Sequence, residues 1–415
     1  NKNDEKINII MKNLEKKARA YALKNAIAYD GKAKLGSVIS ALFNEGLKPS
    51  DAKKYSKKNN EIVTEVNKLS LEEQINEFKK LEKEVSKREG REGLPELPGA
   101  KKGKVIMRFA PSPSGPYHIG HALTASLSFL FVKKYGGKFY VRIEDTNPEN
   151  IYPPAYEMIK KESDWLFDGI AKIIIQSDGM PVYYKYAEKL IKIGVTYVCT
   201  CSQEEFKKFA DNQKNCPCRG LSVKENLERW KKMLDKSGFK EGGAVLRFKS
   251  GMNDKNPAMR DFPLARINLT EHPRQRNKYR VWPLMNFAVA VDDIETKMTH
   301  VIRAKDHRDN AERQKRIHNA LGKKTPWTAF LGRIKFKDME LSKTKIRKEI
   351  EAGKYSGWDD PRLPTLASLK KRGYKPAAFW KFAEQVGLSE ADKVIDREEF
   401  FKLLDAFNRG VTRKS

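Results

Sequence analysis

Two histidines three positions apart, His118 and His121, sit just past a turn-rich segment that holds Pro111, Pro113, Pro116, Ser112, Ser114 and Gly115. Upstream, Val105-Ile106-Met107-Arg108-Phe109 reads as a short buried strand, and downstream an apolar helix of about fifteen residues begins. A helix starting at such a corner points free backbone amides and the positive end of its dipole at whatever occupies the crevice, which suits the phosphates of a nucleotide. The spacing puts both imidazoles on one face. Gly120 between them removes a β-carbon where a flat ring or ribose must approach. The plain alternative is a proline-rich loop with two incidental histidines, among six in the chain.

Further along lie three more constellations. Arg142-Ile143-Glu144-Asp145-Thr146-Asn147 closes a second strand beginning near Lys138, where carboxylates at a strand end either face a crevice or form a salt-bridged terminus. Cys199 and Cys201 form one C-x-C pair, and Cys216 and Cys218 a second. Four thiolates in that arrangement can close a tetrahedral structural Zn2+ site, the alternatives being plain reduced cysteines or a lost metal. Arg274, Arg276, Lys278 and Arg280 alternate along the chain. On a strand they share one face, which suits an RNA backbone or protects a sheet edge.

These residues need elements to hold them. The run from Lys104 to about Gln176 alternates strand and helix, the pattern of half of a doubly wound α/β fold with ligands at the carboxyl ends of its strands. After a segment of about 196 to 280 that looks inserted, a second half resumes with the apolar run Phe287 to Val291, followed by Asp292-Asp293 and His300 to His307. Ile334 to Lys337 reads as a strand and Met339 to Lys345 as a mobile loop, with a helical pattern from about Arg347 onward. Residues 1 to 98 read as Lys- and Glu-rich helices with Ile7, Ile10, Met11, Leu14, Ala18 and Tyr21 at helical spacing. Leu94 to Lys104 is a plausible linker.

The 415 residues suffice for several modules, and 39% hydrophobic composition fits a globular protein. Lys plus Arg outnumber Asp plus Glu by 83 to 54, a net charge of +29 that points to a polyanionic partner. Neither a membrane-spanning stretch nor a signal peptide is seen, so the cytoplasm is expected. Clustered cysteines agree with a reducing compartment.

The stretch R-F-A-P-S-P-S-G-P-Y-H-I-G-H resembles the first signature of class I aminoacyl-tRNA synthetases, in the glutamyl and glutaminyl branch. E-L-S-K-T at 340–344 is similar to the second signature of that class, and Ala28 to Leu42 to an N-terminal extension of archaeal glutamyl enzymes. The resemblance implies a Rossmann-type doubly wound nucleotide-binding fold in two halves, 104–195 and 281–345. Residues 1–98 would be a helical extension. An acceptor-end domain with a zinc knob would span 196–280, and a helical stem-contact region 346–415, ending before the β-barrels that read the anticodon.

It further implies that L-glutamate and ATP, with Mg2+, give glutamyl-adenylate and pyrophosphate, after which a tRNA ribose hydroxyl takes the glutamyl group. His118, His121 and Lys343 would then be catalytic, and Pro116, Gly120 and Ser342 would join them in binding ATP. Glu144 would meet the α-ammonium group, Arg108 and Ser112 the carboxylate end, and Arg303 the side-chain carboxylate with Asn286 nearby. A monomer is implied. Met285, Ala304 and Glu340 depart from the usual Tyr, Gly and Lys of the family. The alternatives are glutaminyl specificity, a paralogue that glutamylates a modified base, or a zinc-containing tRNA-binding protein without catalysis.

Overall fold

The computed structural model describes residues 2–45, 47, 52–85 and 93–412, which divide into two compact units, 1–91 and 92–415. The first unit is helical: α1 (Lys2–Ala28), α2 (Leu35–Asn44), α3 (Ala52–Val66) and α4 (Leu71–Leu81). Ala18, Ala22, Leu23 and Ala26 of α1 pack on Val38, Leu42, Val63 and Val66, as a helical stripe at spacings of three and four requires. Leu14 and Tyr21 pack against that core, whereas the side chains of Ile7, Ile10 and Met11 lie outside the described residues. Ser70 and Glu73 form a capping box at the start of α4.

In the second unit the chain runs through β1 (Val105–Phe109), α5 (Ile119–Tyr135), β2 (Gly137–Ile143), α6 (Ala155–Leu166), β3 (Lys172–Ile175) and α7 (Met180–Lys192). Strands β1, β2 and β3 pair in parallel with β2 in the middle. Gly137 opens β2 because a β-carbon there would lie 2.0 Å from the Val105 carbonyl oxygen. Next come β4 (Thr196–Cys199), α8 (Gln203–Asp211), α9 (Val223–Leu234), β5 (Val245–Phe248), β6 (Pro263–Ile267) and β7 (Val281–Pro283). These four strands make one antiparallel sheet in chain order.

Then α10 (Met285–Glu295), β8 (His300–Ala304), α11 (Arg308–Ala320) and β9 (Trp327–Leu331) resume the parallel pattern, β8 pairing with β9. Thr299, just before β8, exchanges backbone and side-chain hydrogen bonds with Ile106 of β1. The spatial order is therefore β3-β2-β1-β8-β9, and the order reverses between β1 and β8, where open α/β sheets bind ligands. The chain ends with β10 (Ile334–Phe336), α12 (Lys343–Glu351), α13 (Leu366–Lys371), α14 (Pro376–Val386), β11 (Lys393–Ile395) and α15 (Arg397–Thr412).

Three local expectations need correction. The segment around Arg274, Arg276, Lys278 and Arg280 is a turn, not a strand, with Arg276 at φ 52°. The presumed loop to Lys345 stops at Ser342, whose hydroxyl caps α12, so Lys343 is the first residue of that helix. The C-terminal region is not purely helical, since β11 returns to pair in parallel with β10. Helix α5 is buried nearly all round, and Phe129 on it meets Phe139, Phe167 and Trp380. Cutting back such a ring costs about 3–5 kcal/mol.

Candidate active site

His118 is the N-cap of α5. Its Nδ1 accepts from the backbone amides of Gly120 at 3.1 Å and His121 at 3.4 Å, while the Nδ1 of His121 accepts from the His118 amide at 3.4 Å. Burial, with the nearby Lys343 ammonium adding to it, pushes His118 down to about 3, and burial with His118 and Lys343 pushes His121 well below its ordinary value. Both rings are therefore neutral near pH 7. Because each Nδ1 accepts, each proton sits on Nε2, and two donors remain. The rings stack with centroids 3.7 Å apart, and the His121 ring packs on Phe109 and Tyr117. Gly120 is explained by its neighbour: a β-carbon there would stand 3.1 Å from the His118 ring.

This turn is braced from behind. The Ile119 amide donates to the Pro364 carbonyl and the Leu366 amide to that of Tyr117. Glu162 on α6 accepts from the Tyr117 amide at 2.7 Å. Burial pushes its carboxyl up to about 8 despite that bond and the Lys343 charge. Lys343 reaches over Gly115, its Nζ 3.5 Å from the Ser112 carbonyl and 3.4 Å from that of Gly115. Desolvation lowers it to about 8, with Glu162 opposing. Glu340 accepts from the Ser342 amide and pairs with Lys345, each at 2.8 Å. A cavity of about 380 Å3 runs from His118, Gly120 and His121 to Leu331, Gly332 and Leu341, with Ala383 and Val386 beyond.

A second cluster forms where β1, β2, α10 and β8 meet. Asp293 takes Arg108 bidentately at 2.7 and 3.0 Å and also Arg142 at 2.7 Å, and all three are buried. Burial works against the Asp293 carboxylate, but the two guanidiniums outweigh it and hold it well below the usual range. Asp292 is pushed up to about 6 by burial, although it faces Arg142, Gln176 and Tyr183. Arg142 also reaches Glu144 at 3.1 Å. Arg108 is thus committed inside the protein through Nε and Nη2. Ser112 is exposed and its hydroxyl contacts Ser114.

Arg303 has different company. Its Nη1 donates to Gln314 Oε1 at 2.8 Å, its Nε is buried without a partner, and among the described residues it forms no ion pair. Burial, aided by the neighbouring Arg108 charge, lowers it to about 10. Gln314 in turn donates to Asn286 Oδ1 at 3.0 Å. A desolvated guanidinium without an anion is a place for a carboxylate.

The four cysteine sulfurs lie within 4.8 Å of one another, with Cys199 to Cys216 at 3.9 Å and Cys201 to Cys218 at 4.0 Å. Tetrahedral metal–sulfur bonds of about 2.3 Å put sulfurs about 3.8 Å apart, so the quartet fits such an ion. The Thr200 amide and Arg229 each donate to Cys218 at 3.4 Å. The alternating cations are mostly used internally. Arg274 pairs with Asp178, Arg276 with Glu271, and Arg280 donates to the carbonyls of Asp235 and Phe239, while Lys278 lies over Tyr279. The turn is fixed by buried His272, whose Nδ1 accepts two backbone amides and whose Nε2 meets the Asp145 carbonyl at 2.9 Å.

Residues 104–410 match the family model described as tRNA synthetases class I (E and Q), catalytic domain. The chain belongs to that family. The glutamate–tRNA ligase of Methanocaldococcus jannaschii is 44% identical over 391 residues, covering 94% of this chain and 70% of that protein. That of Pyrococcus horikoshii is 45% identical over 405 residues, covering 95% and 70%. The fold is shared with a crystal structure of a glutamate tRNA ligase from Elizabethkingia meningosepticum in complex with its amino acid, at TM-score 0.54 and 22% identity, covering 75% of this chain and 70% of that one. Of the residues singled out in the sequence, His118 and His121 meet at the start of α5 with Lys343 reaching the preceding turn, and Arg303 and Asn286 both bond Gln314. The sequence assigned no role to Asp293, Glu162 or Gln314. The Asp292-Asp293 pair closing an apolar run was a usable signal, because adjacent carboxylates beside buried residues require cationic partners.

Proposed function

We propose that the chain is a glutamate–tRNA ligase, and the observation that carries this is the half-buried Arg303, which has a buried, unpartnered Nε and no ion pair among the described residues, in the same domain as the paired neutral histidines and Lys343. The glutamate side-chain carboxylate pairs with Arg303, beside Asn286, and its α-ammonium with Glu144. Its α-carboxylate attacks the α-phosphate of ATP, and the P–O bond to pyrophosphate breaks. ATP occupies the cavity at His118, Gly120 and His121, with Pro116 in the turn before them, and is reached by Ser342 and Lys343. The Nε2–H groups of the two histidines donate to phosphate oxygens as negative charge builds, and such a preorganised donor contributes about a hundredfold or more. Lys343 leaves the Ser112 and Gly115 carbonyls for the phosphates, which restore its full charge. Mg2+ enters with ATP as part of the substrate. A tRNA ribose hydroxyl then attacks the adenylate carbonyl, releasing AMP.

The four cysteines would hold a structural Zn2+, which stiffens the module of residues 196–280 against the tRNA acceptor end. Residues 346–415 would contact the tRNA stem, and 1–98 are an extension to the catalytic domain of a cytoplasmic monomer. The strong positive charge supports a nucleic-acid partner. The experiment is charging of tRNA for glutamate and for glutamine with labelled glutamate or glutamine and ATP, beside a His121→Ala control. Glutamate transfer that vanishes in the control supports the ligase. Salt-sensitive tRNA binding without any transfer would replace it with a binding protein.

A further inference from the structure

Asn310 Nδ2 lies 3.0 Å from His307 Nδ1, and Asn286 Nδ2 lies 3.0 Å from Asn310 Oδ1. Joined to the Arg303–Gln314 and Gln314–Asn286 bonds, these contacts form an unbroken chain of side chains from Arg303 to His307. Its direction is forced. A guanidinium can only donate, so Gln314 must turn its oxygen to Arg303 and its nitrogen to Asn286. Asn286 must then accept from Gln314 and donate to Asn310. A second anchor agrees, because Arg313 Nη1 also faces Asn310 Oδ1, at 3.5 Å. Asn310 is left to donate to His307, whose Nδ1 must accept and whose neutral ring must carry its proton on Nε2.

We infer that Gln314, Asn286 and Asn310 form a one-way hydrogen-bond relay from Arg303 that fixes His307 as a second donor, so that the pocket accepts a side-chain carboxylate and rejects the matching amide. The inference rests on the glutamate-binding role proposed for Arg303. The two ends are joined by four hydrogen bonds, Arg303 to Gln314, Gln314 to Asn286, Asn286 to Asn310 and Asn310 to His307, and both residues flank the C-terminal end of β8. A carboxylate accepts at both oxygens, whereas an amide must present one NH2 group to a donor. Leaving buried donors unpaired is a strong basis for rejection. Gln314 and Asn310 act through Arg303 and His307 and are positioning residues.

The direct test is 15N spectroscopy of histidine-labelled protein, feasible because the chain has only six histidines, with His307→Gln for assignment. A bare Nδ1 and protonated Nε2 on His307 are expected, and a protonated Nδ1 would overturn the relay. The functional test is Asn310→Asp, which leaves Arg303 and Gln314 untouched but offers only acceptors. It should flip the His307 tautomer and lower the glutamate-over-glutamine ratio in pyrophosphate exchange at least tenfold at pH 8, with the KM for ATP unchanged. An unchanged ratio with a flipped tautomer would refute the specificity role. Gln314→Glu, which turns the relay from the other end, should lower the same ratio. With tRNA present in every exchange assay, absence of glutamate-dependent exchange in the unaltered protein would defeat the ligase reading instead, while the tautomer still decides the relay.

Discussion

Replacing Arg303 with glutamine should harm catalysis and spare or raise stability. The guanidinium is lowered from 12.5 to about 10, chiefly by desolvation. At about 1.36 kcal/mol per tenfold change in proton affinity, keeping it charged there costs about 3 kcal/mol. A bound carboxylate removes that penalty. Glutamine keeps a donor for Gln314 Oε1 but lacks the charge. The unliganded variant thus escapes the penalty, and the substrate loses its partner.

The sign with pH can be worked out. The folded value lies below the unfolded one, so the folded chain would shed its proton first, above pH 10. Below that, Arg303 is charged in both states and the penalty is constant, so comparisons at pH 7 are clean. Pyrophosphate exchange should show kcat/KM for glutamate down by roughly 150-fold, the equivalent of about 3 kcal/mol, with the KM for ATP little changed. Thermal unfolding should give a Tm equal to or above that of the unaltered protein. A clear drop in Tm together with an unchanged KM for glutamate would show that Arg303 is structural, and the argument from its orphaned Nε would fail.

Three further outcomes follow from the same geometry. In Gly115→Ala the new β-carbon would stand 3.1 Å from Lys343 Cδ and 3.3 Å from both Lys343 Cβ and Trp358, at φ 154°. It should displace Lys343 and lower kcat for pyrophosphate exchange at least tenfold, whereas an unchanged kcat would place the working position of Lys343 elsewhere. Glu162 is raised to about 8 from 4.5, so between those values the unfolded chain has lost a proton that the folded one keeps, and stability falls as pH rises. Glu162→Gln should flatten the Tm profile from pH 5 to 8, and a slope identical to that of the unaltered protein would contradict the burial. If the four cysteines hold zinc as proposed, Cys216→Ser should lower the zinc content measured by atomic absorption and reduce tRNA charging more than pyrophosphate exchange, both with tRNA present. Equal loss in both assays would argue against a separate acceptor-end role.

Local signals carried much of the corner at the start of α5 into view from sequence. A strand, a turn rich in proline and glycine, and a histidine at an N-cap are all short-range features, and β1 falls within its expected bounds. The cysteine quartet was equally legible, because two tight pairs restrict where four sulfurs can go. Gln314 and Asn310 were not, since on α11 they look like the solvated face of a charged helix until β8 and α10 are placed against them. Period-two alternation misled at Arg274 to Arg280. There a buried histidine collects two backbone amides, and that tertiary bond overrides the strand pattern. Strand β11 was hidden for a similar reason: it has three residues, and only its pairing with β10 makes it a strand.

The charges at the substrate pocket then sort by partner. Arg108 and Arg142 are answered inside the protein by Asp293 and, at neutral pH, by Asp292, which titrates near 6. That leaves Arg303 without a carboxylate and Glu144 sharing only one arm of Arg142. In the proposed site, Arg303, which has no carboxylate partner among the described residues, would meet the side-chain carboxylate of glutamate, and Glu144, held by one bond to Arg142, its α-ammonium. Arg108 is held by Asp293 through Nε and Nη2, so in the proposed complex the α-carboxylate would receive no guanidinium of its own. For a nucleophile that is favourable, since an ion-paired carboxylate would have to break a strong, desolvated bond before attacking phosphorus. The buried aspartate therefore does more than tie α10 to β1 and β2. By holding Arg108 it would keep the reacting oxygen free in the proposed complex and leave Arg303 as the cation for the side-chain carboxylate.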